Sequence, residues 1–322
     1  MNAIEASSLE KTYPGDVRAL DGISFAVEAG TVFALLGPNG AGKSTTVKIL
    51  TTLSRPDAGS ATVAGHDVLR RPDAVRRAIG VVAQRSGVDP DATGRENLTL
   101  QGELYGLRGR GLHERVREQL ERFGLADAGG RLAKTYSGGM QRRLDVAMGL
   151  VHRPQVLFLD EPTTGLDPEA RALMWAEIER LAQEERLTIL LTTHYLEEAD
   201  ELAEQLAIVD RGRVVVEGTP GALKGELRGD SISIGLADPP ANGRARAALQ
   251  AVPGIHELTV DGESLRARAD DGAAAVPRVL AALDTAGLAV ATATVSRPSL
   301  DDVYLRYAGR AFGADETTKE AA

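Results

Sequence analysis

Val32-Phe33-Ala34-Leu35-Leu36-Gly37-Pro38-Asn39-Gly40-Ala41-Gly42-Lys43-Ser44-Thr45 runs from an unbroken apolar segment straight into a glycine-rich octet. Residues 37–44 fit the pattern G-x-x-x-x-G-K-[ST] in full. The pattern predicts a strand over Thr31–Leu36, a loop at Gly37–Gly42 and a helix over Lys43–Leu53, with Val47, Ile49 and Leu50 available for packing. Physically this is a phosphate cradle: glycines let backbone N–H groups turn inward, and a helix N-terminus favours an anion. Lys43 would then hold β- and γ-phosphates, and the Ser44 hydroxyl would bind Mg²⁺. Gly37, Pro38, Asn39, Gly40, Ala41, Gly42, Lys43, Ser44 and Thr45 are therefore the candidate nucleotide-binding residues. A glycine-rich turn without function is the competing reading, and the flanking strand and helix argue against it.

Working outward, Ile4–Glu10 and Ile23–Val27 are short β-prone runs, bounded by Pro14-Gly15 and Ala29-Gly30. Further strands are expected at Ser60–Val63 and Ile79–Val82. Residues 85–153 read as helical, most clearly over His113–Phe123, where Val116, Leu120 and Phe123 share the inward face. Alternation then returns: strand Gln155–Leu159, helix Pro168–Gln183, strand Thr188–Thr192, helix Leu196–Leu202, strand Leu206–Val209. Apolar strands between helices predict an α/β fold, a mostly parallel sheet covered on both faces with the helical block inserted into it. From Gly229 a second, α+β unit is expected in βαββαβ order. Its strands are Ser231–Leu236, about Glu257–Val260, Ser264–Ala267 and Leu288–Val295, with helices Gly243–Ala251 and Ala274–Ala286. The expected domains are 1–228, with a helical subdomain at about 85–153, then 229–310, and a polar tail at 311–322 expected to be disordered.

Composition narrows the function classes. The chain has 322 residues, 43% hydrophobic and 26% charged, and a formal net charge of −9. That balance argues against a duplex nucleic-acid binder, which needs a concentrated Lys/Arg surface. There is no cysteine, which excludes disulfides and thiolate zinc sites. The histidines, at 66, 113, 152, 194 and 256, lack metal-ligand spacing. The N-terminus does not read as a signal peptide, and no apolar run approaches the roughly 20 residues of a membrane helix. Arginines 108, 110, 115 and 117, interleaved with Glu114, Glu118 and Glu121, read as a solvated helical face with local ion pairs. Trp175 is expected in the core.

Val156-Leu157-Phe158-Leu159-Asp160-Glu161 is an apolar strand ending in two carboxylates. Asp160 suits Mg²⁺ and Glu161 suits polarisation of an attacking water. Alone, such a pair reads as solvated surface; the phosphate cradle upstream gives it weight. Shortly before it, Tyr136-Ser137-Gly138-Gly139-Met140-Gln141 resembles the LSGGQ signature of the ATP-binding-cassette (ABC) family, a Ser-Gly-Gly opening a helix at Gln141–Leu150. A plain helix N-cap at Ser137 is the alternative for that serine.

The resemblance covers about residues 3–225 and implies a P-loop NTPase cassette with antiparallel N-terminal strands and a helical subdomain. It implies an ATPase using Mg²⁺, with composite sites in which one copy's Ser137, Gly138 and Gly139 grip the γ-phosphate held by another copy. Gln84 falls at the family's Q-loop glutamine, which contacts Mg²⁺, and His194 at its switch histidine. Gly165-Leu166-Asp167 resembles the D-loop, with Asp167 at the dimer interface. Tyr13 resembles the aromatic that stacks on adenine; a packing role is its alternative. On this resemblance Glu161, His194, Gln84 and Lys43 are the catalytic candidates, and Ser44, Gln84 and Asp160 the metal candidates.

Residues 297–305 and the Tyr136–Met140 variant further resemble the daunorubicin-resistance-type exporter ATPases. Met140 departs from the consensus and cannot donate the hydrogen bonds of a glutamine. The resemblance implies a homodimer at the cytoplasmic face of the membrane, driving a separate transmembrane permease of ABC-2-like type, with no nucleic acid bound. Residues 84–107 are the expected docking surface. A soluble non-transport ABC-type ATPase, acting in DNA repair or translation, is the alternative. A pure sequestering protein is a second, against which Glu161 and His194 argue.

Overall fold

In the computed structural model, which describes residues 1–227, 229–238, 243–309 and 312, the chain opens with two long strands. These are β1 (Asn2–Tyr13) and β2 (Val17–Glu28), paired antiparallel. Both extend beyond the predicted runs, because ladder pairing carries the polar ends along with the alternating core positions Ile4, Ala6, Leu9, Leu20, Ile23, Phe25 and Val27. Next come β3 (Val32–Leu36), α1 (Lys43–Leu50), β4 (Ala58–Val63), β5 (His66–Asp67), α2 (Pro72–Ala78) and β6 (Ile79–Val82). Strands β2-β1-β4-β5 form one antiparallel sheet.

Three helices follow: α3 (Gly94–Leu104), α4 (Gly109–Arg122) and α5 (Gly138–Leu150). The stretch 85–153 is thus less continuous than the sequence suggests, since residues 85–93 and 123–137 hold only a 3-10 turn at Ala133–Thr135 and a single antiparallel bridge between Thr93 and Leu132. Pro90 and the glycines at 87, 124, 129 and 130 account for the interruptions. On α4, Val116, Leu120 and Phe123 are buried as expected. Arg110–Glu114, Arg115–Glu118 and Arg117–Glu121 are paired. Arg115 turns inward beyond that face, donating to the carbonyls of Leu150 and Val151.

The cassette is completed by β7 (Val156–Asp160), α6 (Pro168–Glu185), β8 (Thr188–Thr193), α7 (Leu196–Leu202), β9 (Gln205–Asp210) and β10 (Arg213–Gly218). The second sheet has the order β10-β9-β3-β8-β7-β6, parallel except for β10. All residues of β3 and β8 are buried, which is why β3 reads as a continuous apolar run and β8 shows no alternation. Trp175 on α6 is a correction to the sequence reading: it is only partly buried, with its indole N–H donating to Glu198 Oε1 at 3.1 Å. An indole needs a partner for that N–H, and the edge of the core supplies a carboxylate. Among the described residues no helix is long and apolar enough to cross a membrane.

The chain divides into two compact units, breaking between Pro220 and Gly221 within α8 (Pro220–Gly225). The second unit runs β11 (Asp230–Leu236), α9 (Arg244–Gln250), β12 (Ile255–Asp261), β13 (Ser264–Ala269), α10 (Gly272–Thr285), β14 (Val290–Ser296) and α11 (Leu300–Ala308). Its sheet is antiparallel, in the order β12-β13-β11-β14. Ile232, Ile234 and Leu236 pack with Leu249, Val279 and Leu283 of the two longer-range helices in its own core. Ser299 and Asp302 close a capping box on α11, a helix that the βαββαβ reading of 229–310 did not include. The expected disordered tail, apart from Phe312, lies outside the described residues.

Candidate active site

Strand order builds this site. β3 lies between β8 and β9, and β7 lies beside β8, so the loops leaving their C-terminal ends converge, as is usual for ligands on parallel sheets. The loop after β3 is the glycine-rich octet. Gly42 caps α1 at φ 111°, a left-handed conformation, and a Cβ there would meet the Ala19 carbonyl oxygen at 2.6 Å. A Cβ on Gly37 would run into the Val209 carbonyl of β9. Lys43 is 4% exposed, and its ammonium donates to the carbonyls of Gly37 (2.7 Å) and Pro38 (3.1 Å).

Across from it stand the carboxylates of β7. Asp160 Oδ1 accepts from Ser44 Oγ (3.2 Å) and from Thr192 Oγ1 (2.6 Å). Glu161 is 7% exposed and is the hub of the site. Its Oε1 lies 3.7 Å from Lys43 Nζ and 3.3 Å from His194 Nδ1, while Oε2 accepts from Gln84 Nε2 (3.0 Å) and Thr164 Oγ1 (3.4 Å). The His194 approach is an ion-pair distance without hydrogen-bond alignment. The His194 ring first, then the Lys43 ammonium and the Thr164 hydroxyl, hold the Glu161 pKa below the ordinary glutamate value against the opposing effect of burial. Glu161 is thus kept ionised inside the protein. Its backbone is unusual as well: φ is 50°, left-handed for a non-glycine residue.

Lys43, Ser44, Gln84, Asp160, Glu161 and His194 are therefore one cluster, although they span residues 43 to 194. The other candidates stand apart in their contacts. Ser137 is exposed and caps α5 through Met140 N (3.3 Å), and Asp167 is exposed and caps α6 through Ala170 N (2.8 Å). Gly138 is exposed, whereas Gly139 and Met140 are half-buried. Tyr136 is buried, its hydroxyl donating to the Ala128 carbonyl at 2.7 Å. Tyr13 is half-buried, with the Lys11 ammonium 5.7 Å from its ring centroid. Asn39 and Gly40 are exposed at the loop tip, and Thr45 is half-buried on α1.

Thr192 and Arg142 were not singled out by sequence. Thr192 reads as an ordinary strand residue, yet its carbonyl and hydroxyl both accept from Glu161 N at 3.1 Å while the hydroxyl donates to Asp160. Arg142 sits within an Arg-Arg pair that looks like helix surface, and it is 8% exposed.

The donor set fits Mg·ATP. A buried ammonium bonded to two backbone carbonyls beside a helix N-terminus supplies donors suited to a phosphate chain. Ser44 and Asp160 face each other as hard oxygen donors suited to Mg²⁺.

Residues 20–164 match the protein family described as ABC transporter. Residues 218–308 match the family described as ATP-binding protein DrrA1-3-like, C-terminal domain. Over 99% of its length, the chain is 48% identical to the daunorubicin/doxorubicin resistance ATP-binding protein DrrA of Streptomyces peucetius, covering 96% of that protein. The chain belongs to the ABC transporter ATP-binding proteins. This ABC protein is also 41% identical to the Nod factor export ATP-binding protein I of Burkholderia lata, over 95% of its own length and 97% of the relative's. Its fold is similar to that of cbiO1 from Clostridium perfringens, part of an ABC transporter complex. There the TM-score is 0.63 at 27% identity, covering 70% of this chain and 91% of that one. As a member of the family it is an ATP-binding ATPase, of the daunorubicin-resistance type.

Proposed function

We propose that this ABC ATPase is the engine of an exporter, hydrolysing Mg·ATP to drive efflux of a drug-like compound through a separate ABC-2-type membrane subunit at the cytoplasmic face of the membrane. The observation that carries the hydrolytic part is the convergence of Lys43, Gln84 and His194 on the buried, ionised Glu161 carboxylate. In this reading Lys43 leaves the Gly37 and Pro38 carbonyls to hold the β- and γ-phosphates, and Tyr13 stacks on adenine. Ser44, Asp160 and Gln84 would hold Mg²⁺, which would neutralise charge on the phosphate oxygens. Glu161 orients and deprotonates the attacking water, and His194 stabilises the charge that develops on the transferred group. Ser137 and Gly138, both exposed, the half-buried Gly139 and the exposed Asp167 serve the site of a second copy, so the working unit is a homodimer closing on nucleotide.

The export reading is supported by full-length relatives named for daunorubicin/doxorubicin resistance and for Nod factor export. Those names favour it over a soluble ATPase of DNA repair or translation. Deleting the gene in its native host tests it. Sensitivity to amphiphilic compounds such as daunorubicin should rise, and be restored by the parental chain but not by Glu161→Gln. Unchanged sensitivity across a panel of such compounds would overturn the export reading.

A further inference from the structure

Arg142 makes four hydrogen bonds, all to backbone carbonyls. Nε donates to Pro162 O (2.7 Å), Nη1 to Ala83 O (2.7 Å), and Nη2 to Asp160 O (3.2 Å) and Glu161 O (3.3 Å). Three of these acceptors are consecutive residues around the site's two carboxylates. The fourth directly precedes Gln84. One turn along α5, Asp145 Oδ1 accepts from Gly87 N (2.9 Å), so the same helix face also holds the far side of the Gln84 loop. Burial of a guanidinium is costly unless its donors are satisfied, and here the planar fork is matched to carbonyls of two separate loops.

The second observation is the Glu161 backbone at φ 50°. A left-handed glutamate is strained, and such a conformation persists only where its surroundings impose it. Thr192 restrains the Glu161 N–H from the β8 side. Arg142 restrains the carbonyls before, at and after the same residue.

We infer that Arg142 is a positioning residue for hydrolysis: it clamps the 160–162 backbone and the Gln84 loop to α5, and so fixes the Glu161 carboxylate against the Gln84 amide. α5 is the helix that Ser137 opens, and any displacement of that helix is passed to Glu161 through one guanidinium. The inference rests on the reading of Glu161 as the water-activating carboxylate.

Arg142→Lys keeps the charge and loses the fork; Arg142→Gln loses both. The test uses the full-length chain, with thermal unfolding to establish that each variant is folded. Hydrogen–deuterium exchange should accelerate in peptides spanning 80–88 and 157–165 of Arg142→Lys, with the second unit unchanged. Its kcat for ATP should fall about tenfold or more while the Kd for Mg·ATP stays within about threefold, and Arg142→Gln should fall further. Unchanged exchange in both segments of folded Arg142→Lys overturns the clamp, as does a kcat within twofold of the parent. A Kd that weakens in step with kcat also overturns it. Should Arg142→Gln not fold, the lysine variant decides. If Glu161→Gln hydrolyses ATP at the parental rate, the Glu161 reading fails on its own, and the exchange result still reports on the clamp.

Discussion

Gln84 donates its amide N–H to Glu161 Oε2 at 3.0 Å, joining the loop after β6 to the end of β7 across the mouth of the site. The bond holds the side-chain amide on the carboxylate whose other oxygen lies 3.7 Å from Lys43 Nζ. Glu161→Gln removes the negative charge while nearly preserving shape. ATP hydrolysis should fall by about 100-fold or more, the scale of a lost general base, while nucleotide still binds and a nucleotide-bound dimer accumulates. Phosphate release together with size-exclusion chromatography in ATP checks both; hydrolysis at the parental rate would remove Glu161 from its assigned role.

Lys43→Ala deletes the buried ammonium that Gly37, Pro38 and Glu161 surround. Charge-assisted bonds to phosphate are worth about 1.5–3 kcal/mol each, so affinity for Mg·ATP should drop at least about tenfold. Calorimetric titration measures it, and an unchanged Kd would refute the phosphate assignment.

The Tyr136 hydroxyl occupies the space that a Cβ on Gly94 would need, while bonding to the Ala128 carbonyl. This gives the departure from leucine at the signature's first position a local reason, and it ties residue 94 to residue 136. Gly94→Ala should destabilise the chain by about 1–3 kcal/mol through overpacking. In a Tyr136→Phe background, where the hydroxyl is gone, the same change should cost less. Additive losses in denaturant unfolding would show the two positions to be independent.

His152 stacks on Tyr105 with ring centroids 3.6 Å apart, and its Nε2 lies 2.9 Å from the Ile79 carbonyl. Burial first, with the Arg115 charge also opposing protonation, brings its pKa down to about 4 from 6.5, although the Ile79 contact works the other way. Between those values the unfolded chain takes up a proton that the folded chain refuses. The His152 contribution to stability is therefore intact above pH 6.5 and is lost progressively as pH falls toward about 4. Thermal unfolding from pH 7 to 4.5 should show a shallower fall in Tm for His152→Gln than for the parent. Parallel curves would dismiss this histidine as a source of acid sensitivity.

How legible the site was depended on where each residue's partners lie. The loop at 37–44 carries its meaning locally, since strand, glycines, lysine and helix are contiguous. Gln84 and His194 were legible only through their register with the other motifs; neither side chain differs in kind from any loop polar residue. The positions of Thr192 and Arg142 were invisible because their partners are backbone atoms, or side chains brought close only by the strand order. A threonine ending a β-run and an arginine beside another arginine carry no mark in the sequence that sets them apart from their neighbours. The core strands were legible because burial on both faces leaves no alternation to confuse. The helical block was over-read, because its loops at 85–93 and 123–137 keep apolar residues such as Val88 and Leu125 that periodicity alone assigns to helix.

The place of β3 bears on how the chain is made. Its hydrogen-bonding neighbours are β8 and β9, residues 188–193 and 205–210, both far downstream of its own residues 32–36. During synthesis the five apolar residues of β3 leave the ribosome long before either neighbour exists, and they wait with both edges open. The phosphate cradle attached to them has no rigid floor in that interval. Nascent-chain competence for nucleotide should therefore appear late and abruptly, once about residue 210 has emerged, and β3 is the segment a holdase chaperone would cover until then.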